Sequence, residues 1–327
     1  MIASIQKILD VLPVENADAL DRVKVLGWQV VAKRGEFKVG DLACYVEIDS
    51  VLPDKPEFSF LAKMNFRVKT IRLRQCLSQG IVFDLSILPT CDWQEGQDVS
   101  EILGVVHYEK HIPGHIGGLI ERNFPSFIPK TDEERMQNIP KVVDELYGKP
   151  YIITTKVDGT SCTIFHNNGE FGVCSRRNQM KEDDRSVYWR IVKKYDLENR
   201  LSGFEMNIAL QGEIVGPGIQ KNRLNLKEPD FLLFDVYDID KGRYMNATEC
   251  SEVRFSLGLR AVPTVELGQA FPYNAEQLLE LAKGKYEGTE NDQEGIVVRS
   301  FYGEYSERLH GRISFKVLNN DFLLKND

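Results

Sequence analysis

No run of apolar residues in the 327-residue chain approaches the ~20 needed to cross a bilayer as a helix, so a helical membrane protein is excluded. The opening stretch MIASIQKILDVLPVENADAL also lacks the basic start and small-residue cleavage site of a secretory signal. Cysteine is sparse and scattered. Cys44, Cys76, Cys91, Cys162, Cys174 and Cys250 include no C-x-x-C pair, which argues against a zinc site and a disulfide framework and for a reducing, cytoplasmic compartment. Basic residues are in deficit, 41 Lys and Arg against 49 Asp and Glu, for a formal net charge of −8. That balance excludes coating nucleic acid through bulk charge and leaves room only for a local basic track. There is no internal repeat and no low-complexity tract.

What is present divides by texture. Up to about residue 105 the chain reads as strands separated by Gly, Pro and Asp: VKVLGWQVVAK (Val23 to Lys33), LACYVEIDSVLP (Leu42 to Pro53), FRVKTIRLRQ (Phe66 to Gln75) and GIVFDLSILP (Gly80 to Pro89). Several short strands with turn punctuation suggest a small barrel or sandwich. Between Glu57 and Asp84 every charged residue is basic, and Arg67, Lys69, Arg72 and Arg74 follow closely on Lys63 and Phe66. A cationic strand face on a small barrel is what an oligonucleotide-binding fold offers a phosphate backbone; lysines guarding a strand edge would read the same way.

From Gly104 to about Pro140 the text is rich in Gly and Pro and reads as a connector, with one short helix predicted after an N-cap at Thr131 and Glu134 three residues on. His107, His111 and His115 recur every fourth residue, but Pro113 and Gly114 fall between the last two and prevent a continuous helix from aligning them as metal ligands. They read as linker polarity.

The third region opens with YIITTKVDGTSCTIF, Tyr151 to Phe165. Asp-Gly between β-rich runs signals a hairpin, and taken alone Lys156 is a solvated turn lysine. Further charged or aromatic stations follow beside strand-like runs: SRRN (Ser175 to Asn178), GEIVGPGIQKN (Gly212 to Asn222), FLLFDVYD (Phe231 to Asp238), EGIVVR (Glu294 to Arg299) and SFKVLN (Ser314 to Asn319). Helical patterns run over Ser186 to Leu201 and Ala275 to Tyr286.

In order and content these stations resemble the covalent nucleotidyltransferase superfamily of ATP-dependent polynucleotide ligases and capping enzymes, with Lys156, Asp158 and Gly159 supplying its K-x-D-G motif. The glutamine Gln220, seven residues after Glu213, and the stretch FIPKTDEERMQN resemble RNA ligases in particular. A strand-rich module ahead of the motifs, and little chain after the last one, resemble the RNA ligase 5 family. The resemblance implies an α+β protein: an N-terminal OB-like β-barrel for RNA binding over residues 1–105, a linker over 106–140, and a nucleotidyltransferase (ATP-grasp-like ligase) domain of antiparallel sheets with flanking helices over 141–327.

It also implies ATP and Mg²⁺ or Mn²⁺ as cofactors, and RNA with 5′-phosphate and 3′-hydroxyl ends as the partner, with no membrane and no obligate protein partner. Lys156 would carry AMP and Lys316 would assist it. A free lysine is protonated at neutral pH, and a second cation and a metal nearby would lower its pKa. Asp158 and Glu294 would hold the hydrated metal ion, with Glu213 on the ribose or in the metal shell. Arg176 would contact phosphate or ribose, and Phe234 or Phe231 would stack on adenine. Arg67, Lys69, Arg72, Arg74, Gln220 and Asn222 would meet RNA. One departure stands out: the last motif, often Lys-x-Lys, reads Ser314-Phe315-Lys316, and Arg312 is a possible substitute for the missing charge. A DNA ligase or capping guanylyltransferase using the same lysine, and a decayed RNA-binding protein, are the alternatives.

Overall fold

A computed structural model describes residues 1–109 and 118–326; His111 and His115 lie outside them. The described residues fall into two compact units, one of residues 1–109, 136–140 and 323–326, the other of residues 118–135 and 141–322. The stretch read as a linker is thus shared between them.

In the first unit, alternating apolar residues build β1 (Ala3–Pro13), β2 (Leu20–Val25), β3 (Trp28–Lys33), β4 (Leu42–Val46), β5 (Thr70–Leu73), β6 (Cys76–Gln79) and β7 (Ile81–Phe83). A five-stranded antiparallel sheet runs in the order β3-β2-β1-β4-β7. The run Val23 to Lys33 is a hairpin and not one strand: Val25 faces Trp28 across a turn in which Leu26 has a positive φ of 52°. Gly27 completes it, because a Cβ there would come within 2.8 Å of the Gln137 backbone. The β5–β6 hairpin approaches the β3 edge, where Gln29 Nε2 donates to the Leu77 carbonyl (2.8 Å) and the Val31 amide donates to Ser78 Oγ (3.0 Å). The sheet is thereby nearly closed around Ile5, Val46, Leu52, Phe58, Leu61 and Val68, as an OB fold requires.

The second unit is built on two sheets. One is five-stranded and joins β8 (Glu134–Arg135), β9 (Tyr151–Lys156), β14 (Thr264–Gly268), β15 (Gly295–Ser300) and β16 (Ser314–Leu318) in the order β8-β16-β15-β9-β14. The other centres on β10 (Thr160–Asn167), β11 (Glu170–Cys174), β12 (Ile208–Val215) and β13 (Asp230–Asp238), in the antiparallel order β11-β10-β12-β13. The helix expected to start at Thr131 does not form there; the first helical turns come later, a 3-10 turn at Met136–Asn138 and a short α-helix at Val142–Leu146. Residues 134–135 pair in parallel with Phe315 and Lys316 as β8, and the Thr131 hydroxyl bonds Ser161 instead of capping.

Helices α1 (Val187–Tyr195), α2 (Leu197–Ser202) and α3 (Ala247–Ser256) cover one face of the second sheet. Trp189, Ile191, Leu197, Leu201 and Val253 pack there on Ile164, Leu210, Phe231 and Leu233. Asp196, at φ 50°, breaks the pattern that reads as one helix into α1 and α2. The opposite face is smaller and joins Val157, Val215, Leu232, Val262 and Tyr286, with Phe234 against them. Among the described residues no helix is long and apolar enough to cross a membrane.

Candidate active site

Lys156 is the last residue of β9 and faces Gly295, the first of β15. In register, Thr154 lies opposite Val297, and Val297 opposite Lys316. Because strand side chains alternate, Lys156, Arg299, Ser314 and Lys316 share one face of this sheet. Two glycines make the approach possible. A Cβ on Gly295, at φ 149°, would sit 2.1 Å from the Val317 carbonyl oxygen, and one on Gly159 would sit 2.4 Å from that of Ile214. The second contact seats the K-x-D-G turn on β12 beside Glu213, which pairs with Ser161 in register.

The charges gather around one amine. Lys156 Nζ is 2.7 Å from Glu294 Oε1. Burial would depress this ammonium, but Glu294, Glu213 and Asp158 outweigh it and hold the lysine above its ordinary pKa. Of the two influences expected to lower it, the second cation alone does not do so, since the acids act on Lys156 more strongly than Lys316 does. The depressed amine is Lys316, brought down to about 8 by burial and by the nearby Arg135 and Lys156 charges. Glu213 is pushed up to about 8, mainly by burial and against the pull of Lys156. The Glu294 and Asp158 charges add to that rise, so the three acids crowd one another around Lys156. Asp158 is in turn held by Arg223, Nε to Oδ2 2.6 Å.

Among the described residues no three His, Cys, Asp or Glu side chains converge as a direct metal-holding group. The three acids expected to hold the metal instead stand around Lys156 as separate oxygen donors. That chemistry fits a hard cation that keeps its water shell, and such a cation would relieve the mutual repulsion that helps raise Glu213.

A β-bulge separates the two candidate aromatics. Gln211 faces Asp235 while the adjacent Gly212 faces Leu233, so Phe234 is the extra residue on β13. Phe231 is fully buried under the helices, with its ring against Gly212. Phe234 is half-buried with Val157 and Tyr286, and the Arg299 guanidinium lies 5.8 Å from its ring centre. Of the two, Phe234 is on the Lys156 side. A bulge re-aims side chains in this way, which simple alternation does not foresee.

Beside it lies a buried charge cluster. Arg312 grips Asp235 through both terminal nitrogens (2.7 and 2.5 Å) and stacks 3.6 Å from the Tyr244 ring centre. Arg299 approaches Asp235 at 3.3 Å, and Ser314 Oγ donates to Glu133 Oε1 at 2.7 Å. Burial would raise the Asp235 carboxyl, but the two guanidiniums hold it below the usual range. Arg312 is thus committed to Asp235, and Ser314 to Glu133.

The remaining expected residues divide between the rim of this site, where the Arg176 charge reaches Glu213 and Gln220 meets the K-x-D-G turn, and positions away from it. Arg176 is exposed and paired with Asp132. Gln220 donates to the Gly159 carbonyl (3.1 Å), while Asn222 uses both ends of its amide on Leu226 within its own loop. In the first unit Arg67 is held by Asp49 (2.8 Å) and stacks on Tyr108, with its centre 3.8 Å from the ring. Lys69 is half-buried; Arg72 and Arg74 are exposed on the β5–β6 hairpin, whose turn places Arg74 and Gln75 at positive φ. Tyr286, Arg223, Asp235 and Glu133 were not foreseen from the sequence. Glu133, inside the FIPKTDEERMQN stretch, and Asp235, inside FLLFDVYD, carry a signal that could have found them.

A family model described as an OB-fold domain matches residues 2–85, and one described as RNA ligase matches residues 149–318. No curated protein sequence matches. Among solved structures the chain is similar to Naegleria gruberi RNA ligase with PPi and to a lysine-to-alanine mutant of it with ATP and Mn. Each match has 34% identity, 99% coverage of this chain, 98% of that chain and a TM-score of 0.91. A lysine-to-methionine mutant with AMP and Mn matches at 34% identity, 98% coverage of both chains and a TM-score of 0.90. With a matching family model over more than half its length and this identity over nearly all of it, the chain belongs to the RNA ligase family.

Proposed function

We propose that this RNA ligase uses ATP and a divalent cation to join a 3′-hydroxyl to a 5′-phosphate on RNA through AMP carried on Lys156. The observation that carries the reading is Lys156 at a strand end, 2.7 Å from Glu294 and on one sheet face with Lys316. In the first step Lys156 Nζ, its proton given up to solvent, attacks the α-phosphorus; an N–P bond forms as the bond to pyrophosphate breaks. Lys316 faces the same side and offers positive charge to the phosphoryl oxygens in transfer. A bound divalent cation would contribute charge beside the phosphates and ordered waters, with Asp158, Glu213 and Glu294 as its oxygen partners. Phe234 offers a ring to the adenine. In the second step AMP passes from Lys156 to the RNA 5′-phosphate, and in the third the 3′-hydroxyl displaces AMP.

A division of labour goes with this reading: residues 1–105 grip RNA through the Arg72 and Arg74 hairpin, while residues 141–327 activate the end. The six thiols, none of them in a disulfide, are compatible with a reducing, cytoplasmic setting. The test is incubation with α-labelled ATP and Mg²⁺ or Mn²⁺, followed by addition of 5′-phosphate RNA. Label that appears on protein and then moves to RNA supports the reading; RNA sealing without a labelled protein defeats it.

A further inference from the structure

The hydroxyl of Tyr286 occupies the point where β9 ends at Lys156 and β15 begins just after Glu294. It accepts the amide of Asp158 (2.9 Å) and the amide of Glu294 (3.1 Å), and donates to the carbonyl of Lys156 (3.1 Å). A phenol offers one donor and can accept twice, so this hydroxyl is fully used. The Lys156–Gly295 pair is the last in the β9–β15 ladder. Beyond it the sheet has no further rung to hold the K-x-D-G turn against the residue before β15. Tyr286 supplies that rung from a side chain. Its ring is 3% exposed among Val157, Val215, Leu232 and Val262, and its amide donates to the Asn291 carbonyl (2.9 Å), so the phenol is anchored at both ends.

We propose that Tyr286 is a positioning residue for adenylylation: its hydroxyl fixes the backbone just after Lys156, on either side of Val157, and at Glu294, and so sets where the amine and its carboxylate stand. The proposal rests on Lys156 being the nucleotidyl carrier. Tyr286 does not touch the reacting atoms; it acts through three main-chain groups. Removing the hydroxyl would leave the amides of Asp158 and Glu294 without this acceptor and allow the turn to drift, and displacement by about 1 Å can cost on the order of 100-fold in rate.

The test compares Tyr286→Phe with Val253→Ala, a cavity variant in α3 on the helix-covered face of the other sheet, and with Lys156→Ala. Single-turnover labelling from ATP is measured below the melting temperature of every variant, with thermal melts and amide exchange alongside. Tyr286→Phe is expected to lower the saturating labelling rate roughly 10- to 100-fold while the ATP half-saturation moves less than about 3-fold. Exchange at the Asp158 and Glu294 amides should quicken selectively. Val253→Ala should melt earlier and label at the wild-type rate. A wild-type rate in Tyr286→Phe, or equal rate losses in Tyr286→Phe and Val253→Ala, would overturn the positioning role. If Lys156→Ala still acquires label, the underlying reading fails and this inference falls with it. Loss of label in Lys156→Ala with a normal Tyr286→Phe defeats the inference alone.

Discussion

The two units carry their charge in opposite ways. In the first, Arg72 and Arg74 stand exposed on a hairpin, and the acids and bases of the barrel surface are mostly solvated. In the second, Lys156, Lys316, Asp235, Arg299 and Arg312 lie at or below the surface and are set against one another by strand register. The difference matters because a surface charge interacts through water and salt, at fractions of a kcal/mol, whereas a buried charge shifts its partner's pKa and penalises any imbalance. The first arrangement suits tracking a backbone and the second suits making and breaking a phosphoryl bond.

Breaking the interior pattern should give the largest effects. Asp235→Ala leaves Arg299 and Arg312 buried without their shared carboxylate, and is expected to cost about 3–5 kcal/mol of stability in denaturant melts. A melt within error of wild type would show that Glu133 and Tyr244 suffice for the two guanidiniums. Glu294→Gln keeps shape and removes charge at 2.7 Å from the Lys156 amine. Adenylylation should fall by roughly 100-fold, with part of the loss restored by raising Mn²⁺. An unchanged metal titration would remove Glu294 from the cation's surroundings.

Glu213 allows a gentler test through pH. Its folded-state pKa is raised from the ordinary carboxylate value to about 8, so folding gains a proton there and the associated stability is complete at low pH. That contribution is lost as pH rises from about 4.5 to 8. Glu213→Gln, which cannot ionise, should therefore gain on the wild type across this window, by on the order of 10 °C in melting temperature at the upper end. A constant difference would mean that Glu213 ionises at its ordinary value.

The exterior pattern should respond least and depend on salt. Reversing charge at Arg72 and Arg74 is expected to leave labelling by ATP intact and weaken RNA sealing. If each removes one phosphate contact, the slope of log affinity against log salt should flatten by about 1.4. Normal sealing with a normal salt slope would reduce these residues to guards of a strand edge.

The same contrast governs what the sequence made legible. The stations around Lys156, Glu213, Glu294 and Lys316 could be read because each is a short run of fixed residue types beside a strand, and the barrel because its strands alternate. Tyr286 could not: α4 (Ala275–Leu281) stops short of it, and its partners Lys156 and Asp158 are 130 and 128 residues away in the chain. The segment after Thr131 read as a helix because the capping signal is local, whereas the partner that makes it a strand, Phe315–Lys316, is remote. Phe234 cannot be told from Phe231 in the sequence, because a bulge leaves no mark in an apolar run. Arg67 counted as part of the basic track, yet Asp49 and Tyr108 hold it, and nothing near it in sequence announces either.

The central claim is that Lys156 carries the nucleotide, and peptide mapping by mass spectrometry tests it most directly. After incubation of the full chain with ATP and Mn²⁺, the account predicts one AMP adduct, on the peptide containing Lys156, absent from Lys156→Ala and discharged by 5′-phosphate RNA. An adduct on Lys316 or any other residue, or efficient sealing by Lys156→Ala from ATP, would contradict it.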